Sequence, residues 1–366
     1  MWKEESAEQS FWFVVFSRLL LIREWVGVCT EDVKSTWSGD SMKISHHLKV
    51  STMAAFQLFF PLLISCVAAS AHPPRHLPPC QVVQMDVLCS DLSLRSAPGN
   101  LPHGVQMLDL SRNQSLTFGE NTLQSLEELF LQGNDLTTLD HHIFQRLPSI
   151  KHLQLQQNNL KICTSDQNHR DPPDCVSFTS IPNLQFLNLS ENNLWTLPAN
   201  AFANSPLKLL DLSLNPGLDM DKHSLSGLEH SLVHLLLREN NISSLNTALS
   251  SLKSLKNIDL FTNRLNTLPM LNKESSIESL NLQNNNLVTL EYSTMLALEH
   301  SLKTLYMGSN PLSCCSNLDF LNMVQHSALV VPDIEIATCI HDEYSEPVNI
   351  EKDSYQSNQG LQAFIF

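Results

Sequence analysis

Nine cysteines and fifteen histidines are the side chains of this 366-residue chain best suited to bind a metal, attack a substrate or form cross-links. A metal site needs Cys or His ligands spaced so that they converge on one ion. His46/His47 and His141/His142 are adjacent pairs, and adjacent side chains diverge in a strand or a helix. His152 and His234 occupy the same place of a repeated pattern, but in copies that are not neighbours. The chain has no H-E-x-x-H, no Gly-rich phosphate loop and no G-x-S-x-G elbow. The expectation is therefore no catalytic residue, no cofactor, no metal and no small-molecule substrate. The cysteines cluster instead: Cys80 with Cys89, Cys163 with Cys175, and Cys314, Cys315 and Cys339 together, with Cys29 and Cys66 upstream. Such local sets read as disulfides if the compartment is oxidising.

The N-terminal region sets that compartment. From Met53 the chain reads MAAFQLFFPLLISCVAASAHPP, an apolar core ending in small residues, with Ala69 and Ala71 forming an A-x-A cleavage site. A start at Met42 adds Lys43, His46, His47 and Lys49 as a basic lead. Residues 42–71 are thus expected to be a signal peptide, and residues 1–41 an upstream extension without a structural role. The alternative is an independent anchor at Phe11–Ile22, which is short and broken by Arg18. No run reaches the ~18 apolar residues of a spanning helix, so the chain as written reads as secreted. A formal net charge of −15 argues against a nucleic-acid reader, which needs a basic face.

The element that must position everything else runs over residues 105–312. Its clearest copy is LEELFLQGNDLTTL, Leu126 to Leu139, with leucine at places one, four, six, eleven and fourteen and asparagine at place nine. The template fits nine times, starting at Val105, Leu126, Ile150, Leu184, Leu207, Leu232, Leu255, Ile277 and Leu302. Successive starts lie 21 to 25 residues apart, apart from one step of 34. This is the leucine-rich-repeat signature. The expected fold is an α/β solenoid, a nine-repeat horseshoe of short parallel strands with disulfide-tied caps at both ends. The ninth-place asparagines read as a structural ladder, because an amide side chain can satisfy the backbone of a buried turn. The pairs Ile143/Phe144 and Ala201/Phe202 are expected to fill the convex side.

Residues 72–104 should form the N-terminal cap, with Cys80–Cys89 as its staple, and residues 313–342 the C-terminal cap, with a helix over Leu318–Val330. Cys339 is the partner for Cys314 or Cys315, leaving the other as a free thiol or an intermolecular bridge. Residues 343–366 read as a disordered tail. After Leu160 an insertion of about ten residues lengthens one repeat, with a polar, Pro-containing middle that should project as a loop. Cys163 and Cys175 flank it; they either close it or leave a tethered loop without a bond.

Places three and five of each repeat face outward from the concave sheet. There Phe130, Phe186, Leu209, Leu236 and Tyr306 are expected as exposed apolar groups for a protein partner, with sideways packing as the alternative. Three Asn-x-Ser sequons follow the cleavage site. Asn241 projects past the ladder and is favoured for glycosylation, Asn188 lies on the concave face, and Asn113 is a ladder position.

Several stretches go beyond a generic repeat: CTSDQNHRDPPDCVSF, SPLKLLDLSLNPGLDMDKHSLSGLEHSLVHL and LEHSLKTLYMGSNPLSCC, with the spacing on to Cys339. Over residues 126–340 the chain resembles the C-terminal half of the GARP family of cell-surface receptors that hold latent transforming growth factor beta. The resemblance implies display of that growth factor at a membrane and a Cys163–Cys175 bond. It carries over no cysteine for covalent capture, because those of the family lie in repeats without a counterpart here. A secreted or matrix repeat protein without that ligand is the alternative.

Overall fold

The computed structural model describes residues 80–114, 116–119, 123–140, 142–163, 175–245, 247–340 and 347–350. The expected signal peptide at 42–71, the extension before it and the middle of the insertion lie outside them.

The chain opens with a hairpin, β1 (Gln81–Val83) antiparallel to β2 (Asp86–Leu88). The repeats then contribute β3 (Met107–Asp109), β4 (Glu128–Phe130), β5 (His152–Gln154) and β6 (Phe186–Asn188). After a lateral strand β7 (Thr196–Leu197) come β8 (Leu209–Asp211), a second lateral strand β9 (Asp219–Met220), and β10 (His234–Leu236). The array closes with β11 (Asn257–Asp259), β12 (Ser279–Asn281), helix α1 (Tyr292–Leu298) and β13 (Thr304–Tyr306). From β2 to β13 the repeat strands pair in parallel and in unbroken register, and β1 completes an eleven-stranded sheet. The chain is a leucine-rich-repeat solenoid with nine repeat strands.

The register follows from burial. Each strand's middle residue, from Leu108 to Leu305, is at most 2% exposed. A slip of one residue would move every one of these to the solvent face. Beyond each strand the chain turns at the ninth-place asparagine, and all nine are buried. Asn215 shows the pattern. Its Nδ2 donates to Leu212 O and to Leu189 O of the previous repeat at 2.8 and 3.1 Å. Its Oδ1 accepts from the amides of Asn192 and Leu194 at 3.0 and 2.9 Å. The residue before each asparagine adopts positive φ, from 52° at Glu191 to 67° at Gly133. Only one of those nine is glycine. Thr262, β-branched with φ 54°, is the most strained choice.

A second, smaller set of turns lies at the strand ends. At place five the side chains of Asp109, Asn188, Asp211, Asp259 and Asn281 each accept the amide N–H two residues on, at 2.9–3.1 Å. On the convex side Phe144, Phe178 and Phe202 stack in sequence, with centroids 5.8 and 6.2 Å apart. Phe178 and Phe202 are fully buried, whereas Phe144 is half-buried.

The C-terminal cap differs from the sequence expectation in two places. Strand β14 (Leu312–Ser313) is followed by helix α2 (Leu318–His326), which ends four residues before Val330. Ser327 turns to extended backbone, and Val330 instead extends the sheet edge by bridging Thr304. Asp333 then accepts from the amides of Met307 and Gly308, capping the last repeat where no further strand supplies the carbonyl that Leu282 finds at Tyr306. The cap also continues past residue 342. Strand β15 (Thr338–Ile340) pairs with β16 (Pro347–Asn349), and Ile350 is 3% exposed. An unpaired edge beside a buried apolar face is costly, and residues 347–349 pair with it; apart from residues 347–350, the expected tail lies outside the described residues.

Candidate functional site: the concave face

The sheet carries two columns of outward side chains, at the first and last positions of each strand. Register decides what stands next to what. Phe186 lies directly opposite Leu209, and Leu209 opposite His234. On the other side of Phe186 the His152 ring meets it edge-on, with centroids 4.5 Å apart, while His152 Nδ1 sits 3.2 Å from Glu128 Oε1. In the second column Phe130 stands between Asp109 and Gln154, Leu236 between Asp211 and Asp259, and Tyr306 beside Asn281.

This corrects the expectation of five exposed apolar groups. Phe130, Phe186, Leu209, Leu236 and Tyr306 are all half-buried. Strands ~4.8 Å apart let neighbouring side chains cover one another's flanks. Polar residues separate Phe130 and Tyr306 from the rest. What remains is one apolar centre: the Phe186–Leu209 pair, with Leu236 on the diagonal from Leu209.

The electrostatics around that centre are uneven. Arg238 grips Asp259 through Nε at 2.6 Å and Nη2 at 2.5 Å. Asp211, one strand before Leu236, accepts from Ser213, whose amide lies 2.9 Å away, and forms no ion pair among the described residues. Burial pushes its carboxyl above the ordinary 3.8, partly offset by the Ser213 hydrogen bonds and the nearby Arg238 charge. Just before β11, β12 and β13, Lys256 and Lys303 both reach Glu278, each at 2.6 Å. Their hydrogen bonds hold that carboxyl at about 2. Sequence reasoning passed over Asp211, Asp259 and Arg238; the recurrence of Asp or Asn at place five was the signal available.

The cysteines sit at the structural joints. Cys80 bonds Cys89 in the N-terminal cap, and Cys163 bonds Cys175 across the base of the insertion. Ile162 and Val176, beside that second bond, form a parallel bridge. Cys339 bonds Cys314, which is 4% exposed, whereas Cys315 faces solvent as a free thiol. Of the sequon residues, Asn241 is exposed with φ 58°. Asn188 is half-buried in its strand-end turn, and Asn113 is a buried ladder member. Among the described residues no group of three His, Cys, Asp or Glu is placed to hold a metal, and no helix is long and apolar enough to cross a membrane.

Residues 124–166 match the family model described as Leucine rich repeat. Over 203 residues, 56% of this chain, the sequence is 41% identical to transforming growth factor beta activator LRRC32 of Mus musculus. It is 42% identical over 202 residues to the protein of the same name in Pongo abelii. To transforming growth factor beta activator LRRC33 of Danio rerio it is 30% identical over 250 residues, 67% of this chain. The matched stretches span only 30%, 30% and 36% of those relatives. Among solved structures, human 5T4 (trophoblast glycoprotein) superposes with a TM-score of 0.55 at 24% identity, over 75% of this chain and 96% of that one. An octameric complex of Latrophilin 3, Unc5D and the FLRT2 repeat domain matches with a TM-score of 0.52 at 21% identity, over 69% of this chain and 90% of that one. Those two likenesses concern the fold alone.

Proposed function

Because this chain is a GARP-type leucine-rich-repeat protein, homologous to proteins named as activators of transforming growth factor beta, we propose that it binds the latent form of that growth factor and presents it outside the cell for activation. The observation that carries this reading is the 41–42% identity to those activators, sustained over about 200 residues of repeat. The role is one of binding, without catalysis. Entry into the secretory pathway rests on the signal peptide read at 42–71, and N-glycosylation is proposed at Asn241; a glycan on Asn188, which stands opposite Asp211, would block the concave face locally.

The concave face is the proposed contact, through Phe186 and Leu209 with Leu236, and with Phe130 and Tyr306 as flanking contributions. Large apolar groups near the centre of a patch carry most of an interface's energy when a partner desolvates them. The capture is non-covalent, since the described cysteines other than Cys315 are bonded. Co-expression with latent transforming growth factor beta, then purification through a tag on this chain, tests the reading. Co-purification with separation on a non-reducing gel is expected. Absence of the growth factor, or a disulfide-linked species containing it, would contradict it.

A further inference from the structure

The strand-end turn is built by Asn and by Asp alike. Asn188 and Asn281 accept the amide two residues on at 2.9 and 3.1 Å, as Asp109, Asp211 and Asp259 do. The turn therefore needs one side-chain oxygen and no charge. A buried carboxylate is costlier than a buried amide unless something pairs with it. At Asp259 the charge is used, because Arg238 binds it. At Asp211 no ion pair forms among the described residues: Ser213 hydrogen-bonds it, Arg238 acts on it only as a nearby charge, and burial still raises its carboxyl above the ordinary value. The fold explains the side-chain oxygen at position 211 and leaves the charge without a direct cationic partner among the described residues.

The surroundings specify what would use it. Leu209 precedes Asp211 by two residues on the same face, Leu236 stands directly opposite, and Phe186 lies on the diagonal beyond Asn188. The outward columns of strands β2 to β13 hold Asp86, Asp109, Glu128, Asp211 and Asp259, and no lysine or arginine. An acidic floor with an apolar rim complements a cation on an aliphatic stem, which can lay its methylenes on apolar surface while its head reaches a carboxylate. We propose that Asp211, framed by Phe186, Leu209 and Leu236, is the socket for a lysine or arginine side chain of a protein partner, with an apolar residue of the partner beside it on Phe186 and Leu209. This deepens the proposed function and rests on the concave face being the protein-binding face.

Phage-displayed random dodecapeptides, selected on the purified chain, test the socket without presuming which protein supplies the cation. Enrichment of Lys or Arg next to Leu, Ile or Phe is expected. The selected peptides should bind Asp211→Asn about tenfold more weakly or worse, because the loss of a paired charge at an interface is a large effect. Asp109→Asn makes the same exchange outside the apolar frame and should bind within about twofold of the parent. Thermal melts of both variants should match the parent, since Asn makes this turn at 188 and 281. The proposal is overturned if no peptide is enriched, if the enriched peptides lack basic residues, or if Asp211→Asn binds them as the parent does. Peptides that bind Asp211→Asn normally and fail on Phe186→Ser/Leu209→Ser would leave the concave reading standing and remove the socket. Equal losses in Asp109→Asn and Asp211→Asn would show a general charge effect and also remove it.

Discussion

Two columns of amide and carboxyl side chains run along this molecule, and they tolerate different residues. At the inner turn, place nine is asparagine in all nine copies. On the concave floor, place five is Asp, Asn, Phe, Gln, Leu or Tyr. The inner position needs donors and acceptor together: Asn215 donates to the carbonyls of Leu189, Leu212 and Ser213 and accepts from two amides. Asp has the acceptor without the donors, so it cannot stand there. The floor position needs at most one acceptor, and some strands do without it. Where structure asks for less, the residue is free to serve a partner. The difference therefore separates the side chains that hold the solenoid together from those available for binding.

Breaking the inner column should have the largest effect. Asn215→Ala strands the amides of Asn192 and Leu194 in the core, while the carbonyls of Leu189 and Leu212 keep the Asn192 and Asn240 side-chain amides. At about 1–3 kcal/mol for each unsatisfied group, a loss of ~3 kcal/mol or more is expected, read as lost secretion or a lower urea midpoint. The same truncation on the floor, Asn188→Ala, removes one hydrogen bond at a half-buried site and should cost about 1 kcal/mol. Equal losses would erase the distinction between the columns.

A charge change on the floor is smaller still. The carboxyl of Asp211 lies above its unfolded value, so the folded state keeps the proton longer, and stability falls as pH rises from about 3.8 through the raised value. Asp211→Asn should remove that slope and leave stability at neutral pH unchanged or slightly higher. A clear loss at pH 7 would mean that the fold needs the charge. Glu278 has the opposite sign. Its stabilisation is present above the unfolded value of 4.5 and is lost as pH falls toward about 2. Because the Lys256 and Lys303 partners are exposed and salt screens such pairs, Glu278→Gln should cost under ~0.5 kcal/mol in urea melts and less at high salt.

Much of this was legible in the sequence, for a physical reason. The repeat period places every buried leucine and every ladder asparagine, so the nine strands and their register follow from spacing alone. The rest depends on contacts between copies or on backbone conformation. Phe178, between Phe144 and Phe202 in the convex stack, sits within the insertion, where the template is lost. The positive φ before each asparagine carries no sequence mark, since eight of the nine residues there are not glycine. Exposed leucines and phenylalanines on a written template look like a patch. Lateral neighbours show that only Phe186, Leu209 and Leu236 adjoin. In the cap, amphipathic spacing marks a helix but not its end, which Val330 sets by joining the sheet edge.

The central claim is that the apolar centre of the concave floor binds latent transforming growth factor beta. The most direct measurement is capture of the purified latent complex by immobilised parent chain and by Phe186→Ser/Leu209→Ser, with secretion and circular dichroism matched. Capture by the parent, and loss of about tenfold or more in affinity for the double variant, is the expected result. Equal capture by both proteins, or no capture by the parent, would contradict it.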